Sequence, residues 1–106
     1  MDDPATFDVI TDPADIAAFC RKWKVIELAL FGSAVRDDFT PQSDVDILVT
    51  FAGDATWSYW DLDDAKSELR DIFGRDVDLV EERSLRNPFR RRAILRDKRV
   101  LHAERG

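Results

Sequence analysis
The chain has 106 residues, 44% hydrophobic and 36% charged, and a formal net charge of −6. That length suits one compact core and leaves no room for a second lobe. The single cysteine excludes an internal disulfide. With no signal-peptide pattern and no apolar run near the roughly 18 residues of a membrane span, a cytoplasmic protein is expected.

Taken in chain order, residues 1–12 read as a mobile end and residues 13–106 as one domain. Asp12-Pro13 opens the first helix, with an acid at the cap and proline in the first turn, and Trp23-Lys24 ends it. On that helix Cys20 shares an apolar stretch with Ile16 and Phe19, so it reads as a small buried hydrophobe and not a reactive thiol. A strand follows over residues 25–31. Gly32-Ser33 then makes a tight turn into a short helix. Glycine lets backbone approach a ligand closely, and the first N–H groups of a helix are free to bind an anion.

Ser43-Asp44-Val45-Asp46 begins the second strand, over residues 44–51, which Gly53-Asp54 breaks. Side chains alternate along a strand, so Asp44 and Asp46 share one face while Val45 and Ile47 point to the core. Two like charges about 4 Å apart repel by roughly 4 kcal/mol at an effective dielectric of about 20. A cation is therefore implied. Mg²⁺ fits, since it takes one or two carboxylates together with water and substrate phosphates. An isolated Asp-x-Asp would be no more than ordinary strand alternation. Here a phosphate-type turn precedes it, and a nucleoside triphosphate with its metal is the implied ligand.

A long helix over residues 58–73 carries Leu62, Ala65, Leu69, Ile72 and Phe73 at helical spacing and stops at Gly74. Near its start Trp57, Tyr59 and Trp60 suit either an adenine-stacking or partner surface, or core packing, and core is the expectation for Trp60. The third strand sets Val77 and Leu79 on one face and Asp76, Asp78 and Val80 on the other. Paired beside the second strand, it would bring a third acid to the site, and two metals held by three carboxylates would stabilise an in-line phosphoryl displacement. Asn87-Pro88 opens the last helix, with Phe89, Ala93 and Ile94 as its expected buried side, and Val100-Leu101 reads as an edge strand. His102, the only histidine, is given no role.

Charge is uneven along the chain. Residues 83–106 hold nine of the 16 basic residues and two of the 22 acids. The acidic remainder argues against general nucleic-acid binding. The basic end, from Arg83 to Arg99, suits an acidic partner or RNA, or simply a solvated helix, which is the reading preferred for most of its arginines.

Leu30-Phe31-Gly32-Ser33, then Arg36, then Ser43-Asp44-Val45-Asp46-Ile47-Leu48-Val49, resembles the signature of the minimal nucleotidyltransferase domains of the DNA polymerase β superfamily. Phe73-Gly74-Arg75-Asp76-Val77-Asp78-Leu79-Val80 is similar to the family's third-acid strand, and the likeness spans roughly residues 14–101. The resemblance implies an α/β fold of the polymerase-β-like nucleotidyltransferase kind, a small mixed sheet flanked by helices. It also implies Asp44, Asp46 and Asp78 as catalytic and metal-binding acids for Mg²⁺, two ions in all. Gly32, Ser33, Arg36 and Ser43 would be nucleotide-binding. Asp76 is left as an exposed or structural acid. One departure is that Arg36 is followed by Asp37 and Asp38 where relatives commonly have glycine; Arg36 then has a choice between phosphate and these acids.

Stand-alone domains of this kind most often act as antitoxins of helical HEPN-type ribonuclease toxins. The implied activity is transfer of AMP from ATP to a toxin tyrosine. With no second lobe, a partner or a second copy is expected to complete the pocket, giving a hetero- or homo-oligomer. The alternatives are a non-catalytic antitoxin acting by contact alone and a small-molecule nucleotidyltransferase of the aminoglycoside-modifying type.

Overall fold
In a computed structural model of the protein, residues 11–35 and 43–104 are described. The expected mobile end therefore lies almost wholly outside the described residues, as do Arg36, Asp37 and Asp38. Helix α1 (Pro13–Trp23) is followed by strand β1 (Val25–Phe31), a single 3₁₀ turn (Gly32–Val35) and strand β2 (Val45–Phe51). Helix α2 (Tyr59–Phe73), strand β3 (Val77–Glu81), a second 3₁₀ turn (Glu82–Ser84), helix α3 (Pro88–Asp97) and strand β4 (Arg99–Ala103) complete the order.

Local chemistry sets these boundaries. The Asp12 carboxylate accepts from the Ala14 amide at 2.9 Å, and Pro13 has no amide to leave unpaired in the first turn. Ser58 and Asp61 cap α2 reciprocally, each side chain accepting the other's amide at 3.1 and 2.9 Å. Asn87 accepts from Phe89 and Arg90 at the start of α3. Gly74 closes α2 in the left-handed region, at φ 72°, which a side chain would disfavour.

The sheet runs β3-β2-β1-β4. β1 lies antiparallel to both β2 and β4, while β2 and β3 are parallel, so the sheet is mixed. Both faces are covered, but unequally. Leu28 and Leu30 of β1 and Val45, Ile47 and Val49 of β2 meet α1 and α2 through Ile16, Phe19, Trp23, Ala65, Leu69 and Phe73. Among the described residues, the alternate residues Ala29, Phe31 and Leu48 meet Leu85 and Ile94 alone, with Val80 and Leu95 at the margin. At roughly 25 cal/mol per Å² of apolar surface, the first face supplies most of the burial energy.

Two expected core residues lie at the surface. Trp60 is 75% exposed. It stands two positions before Leu62, about 200° round the helix from the buried stripe, and its ring meets the ring of exposed Tyr59 edge-on at 5.8 Å. Phe89 is 78% exposed, because α3 turns a different face to the sheet, with Ala93 half-buried and Ile94 buried. Trp57 takes the core role instead. Its indole N–H donates to the Trp23 carbonyl at 3.0 Å, and the two rings meet edge-on at 5.0 Å.

Candidate active site
The site forms where β1 ends. Phe31 is the register partner of Asp46 on β2, and Asp46 is in turn the register partner of Asp78 on β3. Parallel pairing in register turns both acids to the same face, so Asp46 and Asp78 stand side by side one strand spacing apart, about 4.8 Å in the backbone. Hydrogen bonding of the Val45 amide to the Asp76 carbonyl at 3.0 Å fixes that register at the strand entrance. Asp46 is half-buried and Asp78 exposed. Asp76 is also exposed but stands two residues before the register partner of Asp46, just ahead of β3 and outside the cavity lining, which agrees with its reading as a surface acid.

Gly32 explains itself against Asp46. Its φ of 63° lies in the left-handed region, and a Cβ there would run into the Asp46 carboxylate. Close approach of the turn to the acid thus requires the missing side chain. Gly32, Phe31, Val35, Asp46 and Asp78 line a cavity of about 340 Å³, whose opposite wall is the Arg90, Ala93, Ile94 and Asp97 face of α3.

The other expected site residues are placed less centrally. Asp44 is exposed and stands one residue ahead of β2, outside the lining of this cavity. The Ser43 carbonyl accepts from the Arg75 guanidinium at 3.5 Å. Ser33 belongs to the 3₁₀ turn. Arg36 falls outside the described residues. Among the described residues, no three acids are already gathered round one point. The donor set still suits a hard cation: Asp46 and Asp78 offer adjacent carboxylates, the Asp46 carboxylate lies close against the side-chain-free Gly32, and Mg²⁺ asks for no complete protein cage.

Arg90 is the functional candidate that the sequence did not single out. The cue was available: Arg90, Ala93, Ile94 and Asp97 fall at i, i+3, i+4 and i+7, one face of a helix. Apolar periodicity drew attention to Phe89 instead.

Other ionisable groups belong to the scaffold. Burial pushes the Cys20 thiol up to about 12, with the Glu104 charge adding to it, so Cys20 is an uncharged core residue at neutral pH. Much of the basic end is internally paired: Arg83 with Glu81, Arg91 with Glu82, Arg96 with Asp97 and Lys98 with Glu27. These pairs match the solvated-helix reading.

Comparison with known proteins agrees with this geometry. The nucleotidyltransferase domain family matches residues 16–101. The chain belongs to that family. Two proteins of Methanocaldococcus jannaschii, each named "putative protein adenylyltransferase", are 38% and 37% identical to this nucleotidyltransferase over 77 and 76 residues, covering 73% and 72% of the chain and 76% of each relative. A solved structure described as a "putative minimal nucleotidyltransferase" is 30% identical, covers 81% of this chain and 85% of its own, and superposes with a TM-score of 0.66. At 24% identity, a toxin–antitoxin structure with AMP-PNP has a TM-score of 0.69, covering 89% of this chain and 75% of its own. A tri-AMPylated Shewanella oneidensis HEPN toxin in complex with an MNT antitoxin scores 0.59 at the same identity, covering 86% and 69%. The last two share the fold. The mixed four-stranded sheet flanked by helices is thus that of the minimal nucleotidyltransferases.

Proposed function
We propose that this nucleotidyltransferase transfers AMP from ATP to a tyrosine hydroxyl of a HEPN-type toxin and acts as its antitoxin. The observation that carries the reading is the register pairing of Asp46 with Asp78 beneath the side-chain-free Gly32 turn. The relatives' names point to a protein as acceptor, and the fold is shared with antitoxins in complex with their toxins.

In this reading Asp44, Asp46 and Asp78 hold Mg²⁺, which when bound neutralises charge on the phosphates. Gly32 and Ser33 admit the phosphates to the turn, and Ser43 and Arg36 serve as further nucleotide-binding residues. The tyrosine oxygen attacks the α-phosphorus, forming a P–O bond as the bond to the bridging α–β oxygen breaks and pyrophosphate departs with that electron pair. Asp78, at the rim and exposed, takes the hydroxyl proton as general base. Residues 13–106 work as one domain, and the toxin completes the open side of the pocket. Among the described residues no helix is long and apolar enough to cross a membrane, in keeping with a cytoplasmic site of action.

The test is intact-protein mass spectrometry of a HEPN-type toxin encoded beside this chain, after incubation with it, ATP and Mg²⁺. Added AMP masses that map to tyrosine are expected. A stable complex without added mass would replace transfer by neutralisation through contact.

A further inference from the structure
Across the cleft from the acid pair, α3 presents Arg90, Ala93, Ile94 and Asp97 to the cavity. Arg90 and Asp97 stand seven residues apart, about 10 Å along the helix axis. The two ends of this face differ in how they are engaged. Asp97 is held by its neighbour: Arg96 donates to both carboxylate oxygens, at 3.0 and 3.3 Å. That fork, through its hydrogen bonds, also holds the Asp97 carboxyl below the usual carboxylate range.

Arg83, Arg91 and Arg96 are each paired with an acid, whereas Arg90, like Arg86 and Arg92, has no ion pair among the described residues, and of these three it is Arg90 that lines the cavity. Its amide is tied to the Asn87 cap, so the base of the side chain is fixed while its head is exposed. It is also the one cation among the described residues lining a cavity that Asp46, Asp78 and Asp97 make acidic.

We propose that Arg90 binds the terminal phosphates of the nucleotide and stabilises the departing pyrophosphate. The inference rests on the nucleotidyl-transfer reading above. The α-phosphorus must lie against Asp46 and Asp78 for the reaction, so a cation on the opposite wall meets the part of the triphosphate that leaves. A guanidinium offers two parallel donors to phosphate oxygens and is always charged. It takes no proton in the step; it balances the negative charge that grows on pyrophosphate as the bridging P–O bond breaks.

Calorimetric binding of AMP-PNP and of AMP, both with Mg²⁺, to wild type, Arg90→Ala, Arg90→Lys and Arg92→Ala tests this. Because a hydrogen-bonded charge contact is worth about 1.5–3 kcal/mol, Arg90→Ala should weaken AMP-PNP roughly tenfold or more and leave AMP unchanged. Arg90→Lys should recover part of the loss, and Arg92→Ala, outside the cavity lining, should bind as wild type does. If wild type binds AMP-PNP and Arg90→Ala binds it equally well, or loses AMP to the same extent, the assignment to Arg90 is wrong while the enzyme reading stands. If wild type binds neither nucleotide, both fall together.

Discussion
The two faces of the sheet do different work with the same alternating strands. On the α1 and α2 face, successive inward residues of β1 and β2 are all large and apolar, and two helices close over them. On the α3 face the series along β2 runs Asp46, Leu48, Thr50, and only Leu48 joins the apolar cluster. The first face is a finished core. The second is half a core, with its other half given to carboxylates and a cleft. The difference teaches that a small domain can place charged groups against its sheet because the opposite face carries most of the stability.

The strongest way to break this contrast is at the turn between the faces. Gly32→Ala forces a methyl into the Asp46 carboxylate and strains a left-handed backbone by roughly 1–2 kcal/mol. AMP transfer should fall by on the order of 100-fold, since misplacing the reacting groups by about 1 Å costs that much, with a far smaller loss of stability by thermal melting. Next comes the closed face. Leu69→Ala, fully buried on the inner face of α2, should cost 2–5 kcal/mol, roughly the range for such deletions, measured by urea titration. On the open face Ile94→Ala should sit at the low end, about 2 kcal/mol, because fewer apolar groups surround it. Equal losses at the two sites would erase the distinction.

A smaller effect separates α1 from α2 by pH. Burial acts to raise the Glu68 pKa, but hydrogen bonds from Lys22 at 2.5 Å and Trp23 at 3.1 Å, with the Lys22 charge, outweigh it and leave the carboxyl below its ordinary value. A lowered folded pKa means the contribution is present above the unfolded carboxylate range and is lost as pH falls through the folded value. Both partners are substantially exposed, so the loss is modest and reduced by salt. Denaturation midpoints should fall less steeply towards acid in Glu68→Gln than in wild type. Smallest of all, Tyr59→Ala and Trp60→Ala should change stability by no more than about 0.5 kcal/mol, because these rings are 80% and 75% exposed.

Much of this was legible in the sequence where a local rule decides. Caps at Asp12 and Asn87, the stop at Gly74, and the alternation of Val77, Asp78 and Leu79 are read within a few residues and appear as expected, while Ser58, read as the first helical residue, is the cap of α2. The condition set on β3, that it lie beside β2, is met, with Asp78 opposite Asp46. Legibility failed where a helix face is chosen by tertiary packing. Trp60 and Phe89 are strong hydrophobes by type, yet each sits in the first turn of a helix whose buried face is set by residues further along. The same choice hid Arg90, which reaches the cleft only because Ile94 is the residue that anchors α3.

The most direct test of the acid pair is transfer of label from α-³²P-ATP to the toxin by wild type, Asp46→Asn and Asp78→Asn, each checked for folding by its melting curve. Loss of labelling in both folded variants is the predicted result. Undiminished labelling by either would contradict the claim that these paired carboxylates carry the chemistry.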